Sequence, residues 1–235
     1  MKMITLTICI VLIKLACAQD SRTIFIAADK TVSEVLTPQK IYHYPQFING
    51  KIFFRNGTTS EASLNYNYLN GEIEFITQEK DTLAIAKEQM LNIKRVVIDT
   101  NSFLYNHGYL ELVMENPAGK LLKREMFDVV KREKIGAYNQ PTSTSAIESY
   151  GSFTDNYGVF SPKLKIKENI TLVLKTDYFF SDQYNLLLPA NKKNVYKAYR
   201  SKKDQIDKYL EENSVDFKNP DDLKKLLTYL ATGAS

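Results

Sequence analysis

Two Asn-Gly pairs flanking an alternating segment limit the fold of this chain more strongly than any other feature. Asn56-Gly57 and Asn70-Gly71 suit two-residue hairpin turns, because both residue types tolerate a positive φ angle. Between them, apolar and polar residues alternate over 62–68, which is the period of a half-buried strand. Strands at 47–54 and 72–77 complete a predicted three-stranded antiparallel meander.

The same signals recur along the chain, so the predicted fold class is mainly β. The 15 tyrosines and 12 phenylalanines favour strands. We expect an antiparallel meander or sandwich, or a barrel-like domain, over residues 19–189. Further strands are predicted at 23–27, 82–86, 93–98, 109–115, 120–130, 164–166 and 170–177.

Residues 190–235 are predicted to form a helical C-terminal appendage. Residues 192–213 place apolar side chains on one helical face, and Ser201 with Asp204 is a candidate N-cap that restarts a helix. A last helix is predicted from Asn219 as N-cap and Pro220 at the first helical position. We expect its apolar stripe to dock on the β-domain or on the preceding helical face. The stripe comprises Leu223, Leu226, Leu227 and Leu230.

Residues 1–18 are predicted to be a cleavable signal peptide. Lys2 precedes an apolar run at 4–13, and Ala16-Cys17-Ala18 gives the small-x-small pattern of a cleavage site. The run is shorter than the roughly 20 residues that span a bilayer, so no transmembrane anchor is predicted. Lipidation of Cys17 is the alternative, although Lys14 stands where a lipobox requires an aliphatic residue. We therefore expect an exported protein, periplasmic or extracellular.

Export leaves a mature chain without cysteine, because the two cysteines, Cys9 and Cys17, precede the cleavage site. Disulfides and thiolate metal sites are then excluded. Removing Lys2 and Lys14 also leaves 29 basic and 27 acidic side chains, a balance of +2. A nearly neutral exported chain is not expected to bind nucleic acid.

No catalytic, cofactor-binding or metal-binding residue is predicted. His43 and His107 have no metal-ligand spacing around them, and we expect turn or surface positions for both. Glu111 and Glu115 share one face of a predicted strand, as a hydrolytic carboxylate pair could. We expect these glutamates to face solvent, because neighbouring leucines on the opposite face suit the core.

A possible ligand surface lies around the polar segment 139–152, which we predict to be a long exposed loop. Aromatic rings beside small polar residues suit a glycan or protein partner. The candidate residues are Tyr138, Tyr150, Phe153 and Tyr157, with Phe160 nearby.

Three stretches resemble uncharacterised exported proteins of Bacteroidota bacteria. These are the Ala18-Gln19 junction, the hairpin run 50–76, and the tail 209–217 leading into 219–230. The resemblance implies a periplasmic or extracellular location and carries no catalytic residues.

The sequence favours a non-enzymatic exported envelope or secreted protein with a binding or structural role. Two alternatives stay open. One is a carrier of a small apolar ligand in a β-barrel cavity, and the other is a hydrolase that uses acidic residues.

We predict that mature protein begins at Gln19, because the small residues at Ala16 and Ala18 suit a signal peptidase. N-terminal sequencing and the intact mass of exported material test this. A diacylglyceryl group on an N-terminal Cys17 would contradict it.

Overall fold

A computed structural model describes residues 22–136, 151–152, 166–182 and 184–232 of the chain. The fold is mainly β, as predicted, with helices at the C-terminus. Twelve strands form one antiparallel sheet: β1 (Thr23–Ile26), β2 (Ile48–Phe54), β3 (Thr59–Asn67), β4 (Glu72–Ile76), β5 (Thr82–Ala84), β6 (Ile93–Ile98), β7 (Asn101–Tyr105), β8 (Tyr109–Asn116), β9 (Gly119–Lys134), β10 (Gly151–Ser152), β11 (Glu168–Ser181) and β12 (Leu187–Pro189).

Six α-helices accompany the sheet in the described residues, three of them single turns between the early strands. They are α1 (Val32–Val35), α2 (Pro38–Ile41), α3 (Lys87–Met90), α4 (Lys192–Ala198), α5 (Lys203–Glu212) and α6 (Pro220–Thr232). A short 3-10 turn, Arg200–Lys202, joins α4 to α5.

Both predicted Asn-Gly hairpins form where the sequence places them, but neither is a two-residue turn, because Phe53 pairs with Thr59 and Asn67 with Glu72. Gly57 has φ +90° between β2 and β3, and Gly71 has φ +66° between β3 and β4. A side chain at Gly71 would also collide with the Met126 thioether of β9. The positive φ angle therefore favours glycine in the second turn, and the flexible Met126 side chain would have to move aside for a larger residue.

The sheet is open, which corrects the barrel-like expectation. Its strand order is β1-β11-β9-β8-β7-β6-β2-β3-β4-β5, with β10 paired to β9 and β12 to β11. The sheet curls far enough that the Phe127 amide of β9 donates to the Tyr68 carbonyl beyond β3, at 2.8 Å. Among the described residues, no strand ladder joins the terminal strands β1 and β5.

Two apolar cores lie on one face of this sheet, which we call the core face. The larger core fills the curl of the sheet and includes Ile26, Leu64, Phe103 and Phe127. The smaller core lies between the sheet and the C-terminal helices. A third cluster, around Leu110, Leu122 and Phe179, occupies the opposite face.

The C-terminal helices dock on the sheet and on each other, so the stripe contacts both of the surfaces that were predicted as alternatives. The four leucines of α6 are fully buried against Leu121 and Phe180 of the sheet and Val195 and Ile206 of the helices. Asn219 caps α6 by accepting the Asp221 amide at 2.9 Å. The predicted Ser201 cap is wrong, because α5 starts at Lys203 after the 3-10 turn.

None of the helices in the described part of the chain is long and apolar enough to cross a bilayer. The predicted signal peptide, 1–18, lies outside the described residues. Of the predicted loop 139–152, only Gly151–Ser152 is described, and it pairs with Val129 and Asp128 of β9.

We predict that Leu227→Ala lowers the free energy of unfolding by about 2–5 kcal/mol, because it leaves a cavity in the smaller core. The melting temperature should then fall by at least about 4 °C. Lys224→Ala on the exposed side of α6 is the matched control and should change stability by less than about 0.5 kcal/mol. Equal melting temperatures for the two variants would show that the docked helix contributes little.

Candidate functional site

A groove of about 780 Å³ lies on the face opposite the two main cores. We call it the leucine groove. Its volume lies within the range of small-ligand pockets, roughly 300–1,000 Å³. Five leucines from four strands line its apolar part: Leu104, Leu110, Leu112, Leu122 and Leu187. A smaller adjoining cavity of about 390 Å³ shares Leu110 and Leu187 with it.

A β-bulge in β6 places two consecutive cations on the groove. Phe53 pairs with Arg95 and Phe54 with Ile93, so Lys94 is the extra residue. In a regular strand, neighbouring side chains point to opposite faces. The bulge removes that alternation locally, and both Lys94 and Arg95 line the leucine groove.

Arg55 joins these two cations from the start of the β2–β3 turn, and we call the three residues the basic end. The Arg55 Nε donates to the Leu91 carbonyl at 3.0 Å. The Arg95 guanidinium lies 4.9 Å from the centre of the Phe53 ring. All three cations are exposed and line the groove together.

At the opposite end of the groove, the basic side chains are paired with acidic ones. Lys120 lies 3.5 Å from Glu115 and donates to the Asn185 side chain at 3.1 Å. In the adjoining cavity, Arg124 lies 3.4 Å from Asp177. The groove is therefore polar at both ends, but its charge is balanced at only one of them.

A second polar site lies on the core face, between the two apolar cores. Glu111, Lys123, Glu125 and Thr176 cross β8, β9 and β11 there, and we call them the polar belt. Lys123 bonds both glutamates, each at 3.1 Å. Thr176 donates to Glu125 at 3.3 Å. The belt separates Phe127 of the larger core from Leu121 of the smaller one.

His43 covers this belt from the segment that follows α2. The His43 amide donates to the Tyr66 carbonyl, and Asn65 of β3 bonds the neighbouring Tyr44 backbone in both directions. The ring is held on both sides: Nδ1 lies 2.7 Å from the Tyr68 hydroxyl and Nε2 lies 3.2 Å from the Asn101 side-chain amide.

Burial controls the charge of these groups. Desolvation lowers the pKa of His43 below its usual 6.5, although Glu125 opposes the shift. Desolvation raises the pKa of Glu111 above 4.5, because the single Lys123 ammonium it shares does not offset its burial. For Lys123, burial alone would lower the pKa, but Glu125 and Glu111 together outweigh it and raise the pKa above 10.5.

Three side chains at the belt have a metal-ligand arrangement. His43, Glu111 and Glu125 each offer one ligand atom, and these three atoms lie within 4.8 Å of one another. Lys123 already bonds both carboxylates, so a cation would have to displace its ammonium. The cavity beside these groups is about 10 Å³, which is close to the minimum space for one water molecule. The belt as folded therefore has no room for an organic substrate.

Glu111 and Glu115 do not form a carboxylate pair. Val113 is an extra residue between the Leu112–Leu122 and Met114–Leu121 pairs of β8 and β9. This bulge turns Glu115 to the leucine groove, whereas Glu111 faces the polar belt. The two glutamates thus lie on opposite faces of the sheet, and the prediction that both face solvent on one side is wrong.

The other predicted site residues have different outcomes. Tyr138, Tyr150, Phe153 and Tyr157 lie outside the described residues, as does Phe160. His107 occupies an exposed turn, as expected, but it also lines the leucine groove. The groove leucines carried a strand signal in the sequence, whereas nothing near His43 indicated its distant partners.

We predict that His43 makes the protein less stable as the pH falls below about 6.5. The unfolded state takes up the imidazole proton at a higher pH than the folded state does, so protonation favours unfolding. His43→Gln should reduce the loss in melting temperature between about pH 8 and about pH 5.5. The raised pKa of Glu111 acts in the opposite direction at lower pH.

His107→Gln, at the exposed turn, is the matched control and should keep the wild-type pH dependence. The prediction fails if both histidine variants show the wild-type dependence.

The comparisons with known proteins give no relative for this chain. No protein-family model, curated protein or solved structure matches it. The resemblance to exported Bacteroidota proteins therefore remains a prediction from the sequence.

Proposed function

We propose that this protein is an exported, non-enzymatic binding protein that holds a single acyl chain in the leucine groove. The observation that carries the proposal is the groove itself, about 780 Å³ with six leucines along it, five of them on strands. Export rests on the predicted signal peptide at 1–18.

The chemistry of the groove favours an aliphatic ligand over a sugar or a peptide. Sugars require hydrogen-bonding groups around the whole ligand. The groove has such groups, among them Asn106 and Asn185, but its apolar part is formed by leucines, with Phe53 and Tyr105 also lining the groove. A bound peptide would bury backbone amides and carbonyls, which need partners that leucine side chains cannot supply. An acyl chain makes no such demand, and its transfer from water is favourable by roughly 0.8 kcal/mol per buried CH₂.

Partial exposure of the groove leucines supports a binding role. Leu104, Leu112 and Leu187 keep part of their surface accessible beside the buried Leu110 and Leu122. A ligand that covered them would gain hydrophobic free energy without unfolding any element. This arrangement is an open-groove form of the apolar-ligand carrier that the sequence left as an alternative.

We predict that Leu112→Gln weakens the binding of a fluorescent single-chain fatty acid analogue by about tenfold or more. The substitution places an amide in the apolar part of the groove. The bound complex then loses about half of the hydrophobic free energy of burying one leucine, roughly 1.4 kcal/mol, which corresponds to a tenfold weaker affinity. Fluorescence titration of the purified protein measures the dissociation constant.

Leu83→Gln is the matched control, because Leu83 is 51% exposed on the edge strand β5 and lies outside the groove. The affinity of the Leu83→Gln variant for the fatty acid analogue should equal that of the wild type. Absence of saturable binding by the wild type, or equal binding by the folded Leu112→Gln protein, would contradict the proposal.

A further inference from the structure

We infer that the acyl ligand carries an anionic oxygen headgroup and that the basic end, Arg55, Lys94 and Arg95, binds it. This inference rests on the proposed function and names the class of ligand: a single-chain carboxylate or phosphate amphiphile. Its first support is an imbalance of charge around the groove. Four basic side chains but only one acidic side chain line it, and the acidic one, Glu115, pairs with Lys120.

The three cations of the basic end form no ion pair with any acidic side chain in the described part of the chain. Unpaired positive charge also occurs elsewhere on the described surface, as at Lys192 and Lys193 of α4, but those side chains do not line the groove. The concentration of positive charge at one end of an apolar groove matches an amphiphile, which carries its charge at one end of an apolar chain.

The local structure orients two of these cations. Arg55 uses Nε to bond the Leu91 carbonyl, and its two terminal nitrogens remain available to a ligand. Arg95 stacks over Phe53, which holds its guanidinium beside the groove. A guanidinium presents parallel N–H groups that match the two oxygens of a carboxylate or phosphate.

The β6 bulge is the feature that makes this end cationic. In a regular strand without this bulge, neighbouring side chains would alternate across the sheet. Lys94 and Arg95 would then lie on opposite faces. The bulge brings both to the groove beside Arg55. A headgroup there would meet three positive charges, while its chain follows the leucines toward Lys120.

The experiment compares two ligands with the same chain, dodecanoate and dodecanol, by calorimetric titration below their aggregation concentrations at low salt. The wild type should bind dodecanoate about tenfold more tightly than dodecanol. Each exposed ion pair contributes only a small free energy, but the contributions of three cations to one carboxylate add up to an effect of this size. The triple variant Arg55→Gln, Lys94→Gln, Arg95→Gln should bind the two ligands equally, with unchanged affinity for dodecanol.

A control variant removes the same charge elsewhere: Lys192→Gln, Lys193→Gln, Lys197→Gln on the exposed side of α4. It should keep the wild-type preference for dodecanoate. Equal wild-type affinities for the two ligands would overturn the inference while leaving the acyl-chain proposal intact, and binding of neither would overturn both.

Inorganic phosphate separates a headgroup site from a site for free anions. Phosphate alone should compete only weakly with dodecanoate, because it gains nothing from the leucines. Binding of phosphate as tightly as dodecanoate, lost in the triple variant, would overturn the inference by identifying a free-anion site.

Discussion

The pairing of β9 with β11 is the constraint on which the rest of this structure depends. All 14 residues of β11 pair with β9, which forms the longest ladder in the described sheet. Alternate side chains of this ladder point to opposite faces of the sheet and so pack in different parts of the molecule. Phe127 enters the larger core, Leu121 enters the smaller core, and Leu122 lines the leucine groove from the opposite face. A register shift of one residue would exchange these faces and disrupt both cores and the groove.

The same ladder explains why ionic groups lie between two apolar cores. Lys123 and Glu125 continue the face that carries Leu121 and Phe127, so their side chains cannot turn to the groove. Each is desolvated there and needs a partner, which Glu111 and Thr176 provide from the strands on either side. The closed network of the belt contrasts with the basic end, where solvent exposure makes unpaired cations tolerable.

Local patterns predicted the strands and the last helix well. The Asn-Gly turns and the leucine stripe of α6 depend on neighbours within a few residues, so their signals are present in short windows of sequence. Strand β7 was missed, because Asn101 and Ser102 at its start have a turn-like composition. Strand β12 was missed because three residues are too few to show a period.

The site was predicted far less completely, and bulges are the main reason. In the sequence of β8, Leu110, Leu112 and Met114 predict one face of the strand and both glutamates the other, although Val113 interrupts the polar positions. The extra residue, Val113, reverses that assignment, because it lies between the Leu112–Leu122 and Met114–Leu121 pairs. A bulge is defined by the pairing with the partner strand, so the pattern of one strand alone does not locate it. The position of His43 beside Glu111 and Glu125 likewise requires the complete sheet.

An open groove and an enclosed barrel cavity differ in what they demand of a ligand. An enclosed apolar cavity must desolvate the whole ligand, so a charged headgroup inside it would carry a large desolvation penalty. In the leucine groove, the cations beside the leucines are exposed, and a headgroup at that end would keep part of its hydration. Apolar burial and charge pairing can then act on one ligand without opposing each other. The curl of the sheet makes this possible, because it packs the larger core on one face and leaves the opposite face partly uncovered.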